Sequence, residues 1–318
     1  MTFRTLEGGV STRGGVSELP HDRSEMLWSE AGPSAMLVES IDRWVGSMLA
    51  DERGGGDGPE VRIEAELISK SSGVLCGNSA VERLLESHFP DCSAQWFIEE
   101  GGEVSPGVCV AVLLGPARSL LRLERILLNL IGRMSGIATN TSQWCLSAGS
   151  LQVAATRKTA WGLLDKWAIH VGGGLTHRLD RGDALMLKEN DIAAMSEGGE
   201  APSDAIERIV SGLSYETDSF TTVEVRNGNE AMAAARAWGE RESRLVLMFD
   251  NMGPATAGEV VSSLIGEGLR DRCVLEGSGG VTMESLSEWT DSGVDVVSSS
   301  RLNMGVPPID FSMLFGGA

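Results

Sequence analysis

The sequence predicts an α/β protein, an incomplete (β/α) barrel preceded by a small α/β sandwich domain. Three observations carry this. From residue 151 onward helical and extended segments alternate, the pattern that builds a parallel sheet with helices packed outside it. The extended segments there number about seven, one fewer than a closed eight-strand barrel needs. Ahead of them, residues 61–114 read as alternating strands and Gly-rich turns around one helix, which marks a separate domain. The expected organisation is a flexible extension over 1–35, the sandwich domain with its connector helix over 36–150, the barrel over 151–303, and a tail over 304–318 that returns to the N-terminal domain.

A chain of 318 residues with 42% hydrophobic content can bury the cores of two domains. No apolar run reaches the about 18 residues a membrane span needs. Cys76, Cys92, Cys109, Cys145 and Cys273 lack C-x-x-C or metal spacing, so they read as reduced thiols of a cytoplasmic protein. With 45 Asp and Glu against 26 Lys and Arg, the net charge of -19 argues against nucleic acid or an anionic membrane as partner.

In chain order, residues 1–35 show neither sustained periodicity nor the apolar core of a signal peptide. From Ser34, the spacing of Met36, Leu37, Ile41, Trp44, Val45 and Met48 predicts a helix. VRIEAELIS at 61–69 alternates as a strand, SAVERLLESHF at 79–89 is helical, and EEGGEVSPGVCVAVLLG at 99–115 reads as a hairpin. Arg118–Ala138 is an apolar connector helix, buried on several sides. In the barrel, strands are expected at 153–156, 169–171, 184–187, 221–225, 245–249, 273–277 and 294–300. Helices are expected at 163–168, 204–213, 229–238, 255–268 and 283–293.

The chemistry concentrates in Ala155–Asp191, where an acidic chain gathers Arg157, Lys158, His177, Arg178 and Lys188. These positions lie at strand ends and in the loops that follow, which a barrel brings to one mouth. Forked guanidinium groups and point-charge ammonium groups suit a small, multiply charged anion. The competing reading is that each cation makes an ordinary surface salt bridge. The Gly172-Gly173-Gly174 turn lacks the spacing of a dinucleotide fingerprint. Glu224 and Asp250 end two strands, where hard oxygen donors suit Mg²⁺, unless they only balance the neighbouring cations. Ser278, Gly279 and Gly280 follow another strand as a small turn able to offer backbone N–H groups to a phosphate.

TRKT at 156–159, GGGLTHR at 172–178 and LKEN at 187–190 resemble the signature of the quinolinate phosphoribosyltransferase (nicotinate-nucleotide pyrophosphorylase, carboxylating) family. ERILLNLIGRMSGIAT at 124–139, VEVRN at 223–227, LMFDNM at 247–252, LEGSGG at 275–280 and GVDVVSSS at 293–300 agree in order, so the resemblance spans residues 45–312. It implies a type II phosphoribosyltransferase fold and transfer of the phosphoribosyl group from phosphoribosyl pyrophosphate to quinolinate with decarboxylation. Quinolinate would lie among Arg157, Lys158, His177, Arg178, Lys188 and the partner subunit's Arg125, which implies a homodimer and leaves a larger assembly such as a hexamer open. Without the family, helix geometry would give Arg125 an ion pair with Glu124 or another acid. The 5-phosphate would sit at Ser278, Gly279, Gly280 and Ser298, Ser299, Ser300, and Mg²⁺ would be held by Glu224 and Asp250, which with Lys158 form the catalytic set.

Four positions depart from the family pattern: Pro59 for threonine in the acidic segment at 49–59, Asp191 and Met304 for histidines, and Ser300 for a glycine. Two alternatives stay open, a sister enzyme acting on another acidic ring such as nicotinate, and a ligand-binding homologue without activity.

Overall fold

The computed structural model describes residues 4–6, 10–12, 18–52, 58–214 and 219–316. Helix α1 (Ala35–Asp51) starts where Ser34 accepts the Leu37 N–H, and it buries Leu37, Ile41 and Val45. Then come β1 (Arg62–Ser69), α2 (Asn78–His88), β2 (Ser93–Trp96) and β3 (Cys109–Pro116). The hairpin expected over 99–115 does not form. Residues 103–104 pair with 73–74, whereas β3 pairs with both β1 and β2. The run Val110, Ala111, Leu113 is fully buried, and a central strand position is what buries it.

Helix α3 (Ala117–Ala148) is longer than the expected connector and ends at Gly149 with φ +65°. A Cβ on Gly136 would stand 2.3 Å from the Pro307 carbonyl oxygen, so this glycine lets the chain's last segment cross the helix.

The barrel domain comprises β4 (Gln152–Ala154), α4 (Leu163–Val171), β5 (Leu185–Leu187), α5 (Glu189–Met195), α6 (Pro202–Ser211), β6 (Thr221–Val225) and α7 (Gly228–Trp238). It continues with β7 (Leu245–Asp250), α8 (Gly253–Gly266), β8 (Cys273–Ser278), α9 (Leu286–Asp291) and β9 (Val296–Ser298). All six strands are parallel, in the order β4-β9-β8-β7-β6-β5. The last strand, β10 (Phe311–Phe315), pairs with β1 in the sandwich sheet, whose order is β10-β1-β3-β2.

The strand expected at 169–171 is instead the last turn of α4. Leu164, Trp167, Ala168, Ile169 and Val171 are all buried there, and an apolar run flanked by helix formers continues the helix. Gly172 then passes so close to α3 that a Cβ would lie 2.4 Å from the Ala138 carbonyl oxygen. The extended position falls at Leu175, which makes one parallel bridge to Ala154. Among the described residues no ladder joins Leu175 to β5, and this gap is the barrel's open side.

Residues 19–28, placed by the sequence in a free arm, pack at that gap. Thr176 Oγ1 accepts the Arg23 N–H at 2.8 Å and donates to the His21 carbonyl at 3.3 Å. The Arg23 guanidinium holds Asp183 at 2.9 Å and Ser219 at 2.7 Å, and Trp28 stacks on Trp167 at 5.0 Å. No helix among the described residues is long and apolar enough to cross a membrane.

Candidate active site

Strand register builds the mouth. Asp250, Ser278, Ser298 and Ala154 are aligned partners at the C-terminal strand ends, and one layer deeper Glu224, Met248, Glu276 and Val296 align likewise. Val246, Val274, Val296 and Ala154 pack in the barrel interior. Side chains two apart share a face, so both rows point inward.

Ser298 Oγ donates to Ser278 Oγ at 3.3 Å. Gly279 has φ +84°, and a Cβ there would lie 2.3 Å from Asn251 Oδ1, so the turn after β8 requires glycine and leaves room for an anion beside its backbone. Ser299 points to the other face: its hydroxyl donates to the Val281 carbonyl at 3.1 Å and accepts the Arg301 N–H at 3.3 Å. Alternation thus removes the Ser299 hydroxyl from the mouth. The Ser300 carbonyl accepts the Met304 N–H at 2.8 Å, and the Met304 side chain is exposed.

Glu224 accepts a hydrogen bond from Lys188 Nζ, so charge balance, the competing reading, accounts for one of its lone pairs. Asp250 accepts from Asn251 Nδ2 at 2.9 Å. Each carboxylate retains further acceptor sites, and two hard oxygen donors on adjacent strand ends beside the Ser278–Gly280 turn are a donor set that fits Mg²⁺ completed by water and other oxygen ligands.

Arg157 and Lys158 are exposed in the loop after β4 and form no ion pair among the described residues. Arg178 is 5% exposed. Its Nη1 donates to the Ala184 carbonyl at 3.1 Å, its Nε has no partner, and among the described residues no carboxylate is hydrogen-bonded to it. Burial, then the neighbouring Arg157 and Arg181, lower its pKa. A buried guanidinium without an anion is costly, and the site therefore favours one. Asp191, which departs from the family's histidine, accepts the Lys188 N–H at 3.0 Å and so caps the start of α5.

His177, expected among the anion-binding cations, has both ring nitrogens bonded within the chain. It is 3% exposed, and its φ is +52°. Its Nδ1 accepts the Arg178 N–H at 2.7 Å, which leaves the proton on Nε2 to donate to Glu276 at 3.2 Å. Burial lowers its pKa, in keeping with that tautomer. Glu276 is fully buried, and burial raises its pKa, but His177 and His21 more than reverse this and hold it well below the carboxylate range.

Sequence reasoning missed Lys166, Glu276 and His21. Lys166 is 2% exposed and donates to the Thr176 carbonyl at 2.7 Å and the Arg178 carbonyl at 2.9 Å, fixing the loop that carries His177 and Arg178. Burial lowers its pKa to about 7; Asp183 opposes the shift, and Arg157 and Arg178 add to it. The signal was a lysine inside the apolar run LLDKWAIHV.

Arg125 is exposed on α3 and makes no ion pair with Glu124 or another acid among the described residues. It lines a groove of about 490 Å³ with Arg133, Trp161, Val306 and Pro308, and none of Arg157, Lys158, Arg178 and Lys188 lines that groove. In the acidic segment, residues 53–57 lie outside the described residues; Pro59 accepts the Arg118 N–H at 3.2 Å.

The model of the quinolinate phosphoribosyl transferase N-terminal domain matches residues 49–135, and that of its C-terminal domain matches 137–314. The chain is 34% identical over 261 residues to the probable nicotinate-nucleotide pyrophosphorylase (carboxylating) of Archaeoglobus fulgidus, covering 80% of this chain and 95% of that one. To the protein of the same name from Methanothermobacter thermautotrophicus it is 32% identical over 262 residues, covering 80% and 89%. The solved nicotinate-nucleotide pyrophosphorylase of Francisella tularensis superposes with a TM-score of 0.75 at 25% identity, covering 87% of this chain and 96% of that one.

Proposed function

The chain belongs to the quinolinate phosphoribosyl transferase family, and on that premise we propose that it transfers the phosphoribosyl group of phosphoribosyl pyrophosphate to quinolinate with decarboxylation. The products are nicotinate mononucleotide, carbon dioxide and pyrophosphate, a step of NAD biosynthesis. The observation that carries the assignment in this chain is the buried Arg178, beside Arg157, with no carboxylate bonded to either among the described residues. Quinolinate, a pyridine with two adjacent carboxylates, supplies the anion this pair lacks.

The ring nitrogen attacks the anomeric carbon as the bond to pyrophosphate breaks. No covalent nucleophile is required, so charge placement does the work. Arg157, Arg178 and Lys188 bind and orient the carboxylates, and Lys158 neutralises charge at the reacting centre. The turn Ser278–Gly280 with Ser298 receives the 5-phosphate. Glu224 and Asp250 would hold Mg²⁺, which supplies charge neutralisation for the leaving pyrophosphate. The pyridinium then takes up the electron pair released as carbon dioxide leaves, and that ring carbon gains a proton.

Arg125 is assigned to the mouth of a second subunit, making the homodimer the active unit; its exposure, and the absence of an ion pair to it among the described residues, support this. Five unpaired cysteines support a cytoplasmic setting. A second reading, nicotinate as the acceptor, is favoured by Asp191, whose charge partly offsets that of Arg178 and lowers the demand for a second carboxylate. Pyrophosphate release measured with each ring in parallel separates the two: decarboxylating turnover of quinolinate supports the first, and turnover of nicotinate alone supports the second.

A further inference from the structure

A chain of hydrogen bonds runs from the N-terminal segment to the substrate-binding arginine. His21 Nε2 meets Glu276 Oε2 at 3.0 Å, Glu276 Oε1 meets His177 Nε2 at 3.2 Å, and His177 Nδ1 accepts the Arg178 N–H at 2.7 Å. His21, His177 and Glu276 are all buried, and the two imidazoles pack edge to face at 4.9 Å with Phe220 alongside. Among the described residues, these imidazoles are the only groups that bond the Glu276 carboxylate.

The ligand atoms of His21, His177 and Glu276 lie within 4.8 Å of one another, a spacing a metal ion could use. The tautomer argues against that. His177 Nδ1 accepts a backbone N–H, so Nε2 carries the proton and has no lone pair for a metal. The cluster is a hydrogen-bonded relay.

We propose that His21 is a positioning residue for the transferase: through Glu276 it fixes the tautomer and ring plane of His177, and through His177 the backbone at Arg178. The ionised carboxylate only accepts, so both imidazoles must present Nε2–H to it, which leaves His177 Nδ1 bare for the Arg178 amide. Without His21, the buried carboxylate loses a donor and draws a second proton onto His177. That proton goes to Nδ1 and breaks the bond to Arg178. His21 reaches this place because Arg23 on Asp183, Leu27 in the core and Trp28 on Trp167 anchor the segment at the barrel's open side.

The kinetic part rests on the function proposed above, and the spectroscopic part does not. The full chain has four histidines, so long-range ¹⁵N–¹H spectra can resolve the His177 ring. His21→Leu keeps apolar bulk but no donor, while His21→Gln keeps an N–H near the Nε2 position. The expected results are an Nε2–H tautomer for His177 in the unsubstituted protein and in His21→Gln, and loss of that tautomer in His21→Leu. The KM for quinolinate should rise about 10-fold in His21→Leu and less than about 3-fold in His21→Gln, with the KM for phosphoribosyl pyrophosphate little changed. An unchanged His177 tautomer in His21→Leu, or an equal rise in both KM values, overturns the proposal. If His21→Leu does not fold, Glu276→Met, which removes the acceptor, is read by the same spectra: retention of the Nε2–H tautomer there overturns it. If the unsubstituted protein does not turn over quinolinate, the functional reading fails while the spectra still decide the relay.

Discussion

Arg178 Nη1 donates to the Ala184 carbonyl at 3.1 Å, and this bond anchors the guanidinium while the rest of its fork meets no carboxylate at hydrogen-bond distance among the described residues. Lysine has one point charge and no fork. Arg178→Lys is therefore expected to lower kcat/KM for quinolinate by about 30- to 150-fold, the loss of about 2–3 kcal/mol for a charged hydrogen-bonded pair, with the melting temperature little changed. Steady-state kinetics and a thermal melt check both parts.

Glu224 accepts a hydrogen bond from Lys188 and is one of the two carboxylates proposed to hold Mg²⁺. Glu224→Gln keeps the side-chain shape and removes one hard anionic donor. The Mg²⁺ concentration for half-maximal rate should rise about 10-fold or more, and Asp250→Asn should behave alike. A Mg²⁺ titration of initial rates with unchanged half-points in both variants removes these residues from the metal site.

The pKa of Lys166 is about 7 in the fold, below its ordinary unfolded value near 10.4. Between these values the unfolded state binds more protons, so this residue's contribution to stability rises with pH and is least below pH 7. Lys166→Met lacks that contribution and orphans the carbonyls of Thr176 and Arg178. The stability deficit of Lys166→Met, read from urea unfolding, should widen between pH 7 and 10 by more than about 1 kcal/mol. A constant deficit contradicts the shift.

If Arg125 serves the neighbouring mouth, Arg125→Ala and Lys158→Ala disable sites by different routes. Mixing the two inactive proteins under conditions that exchange subunits should restore about a quarter of the activity, since random pairing gives mixed dimers with one intact site each. No recovery, with exchange confirmed by mass, places Arg125 outside the shared site.

The alternation of strand and helix was legible because each barrel strand from β6 to β9 is a short, buried apolar run between amphipathic helices. The same period placed Glu224, Asp250, Ser278 and Ser298 on one inward face, and it turns the Ser299 hydroxyl away. Ile169–Val171 misled because a three-residue apolar run fits a strand or a helix end, and the close approach of Gly172 to α3 decides between them. His21 and Glu276 stayed hidden because their partnership spans 255 positions, which no local pattern encodes. The charge type of His177 suggests an anion-binding cation, and no sequence pattern shows that its Nδ1 accepts the Arg178 N–H.

The central claim is tested by measuring pyrophosphate and carbon dioxide from the purified full chain with phosphoribosyl pyrophosphate, Mg²⁺ and quinolinate, beside an Arg178→Ala control. The account predicts equal amounts of both products from the unsubstituted chain and a rate at least about 100-fold lower in the control. No product from quinolinate, or the same rate in the control, would contradict it.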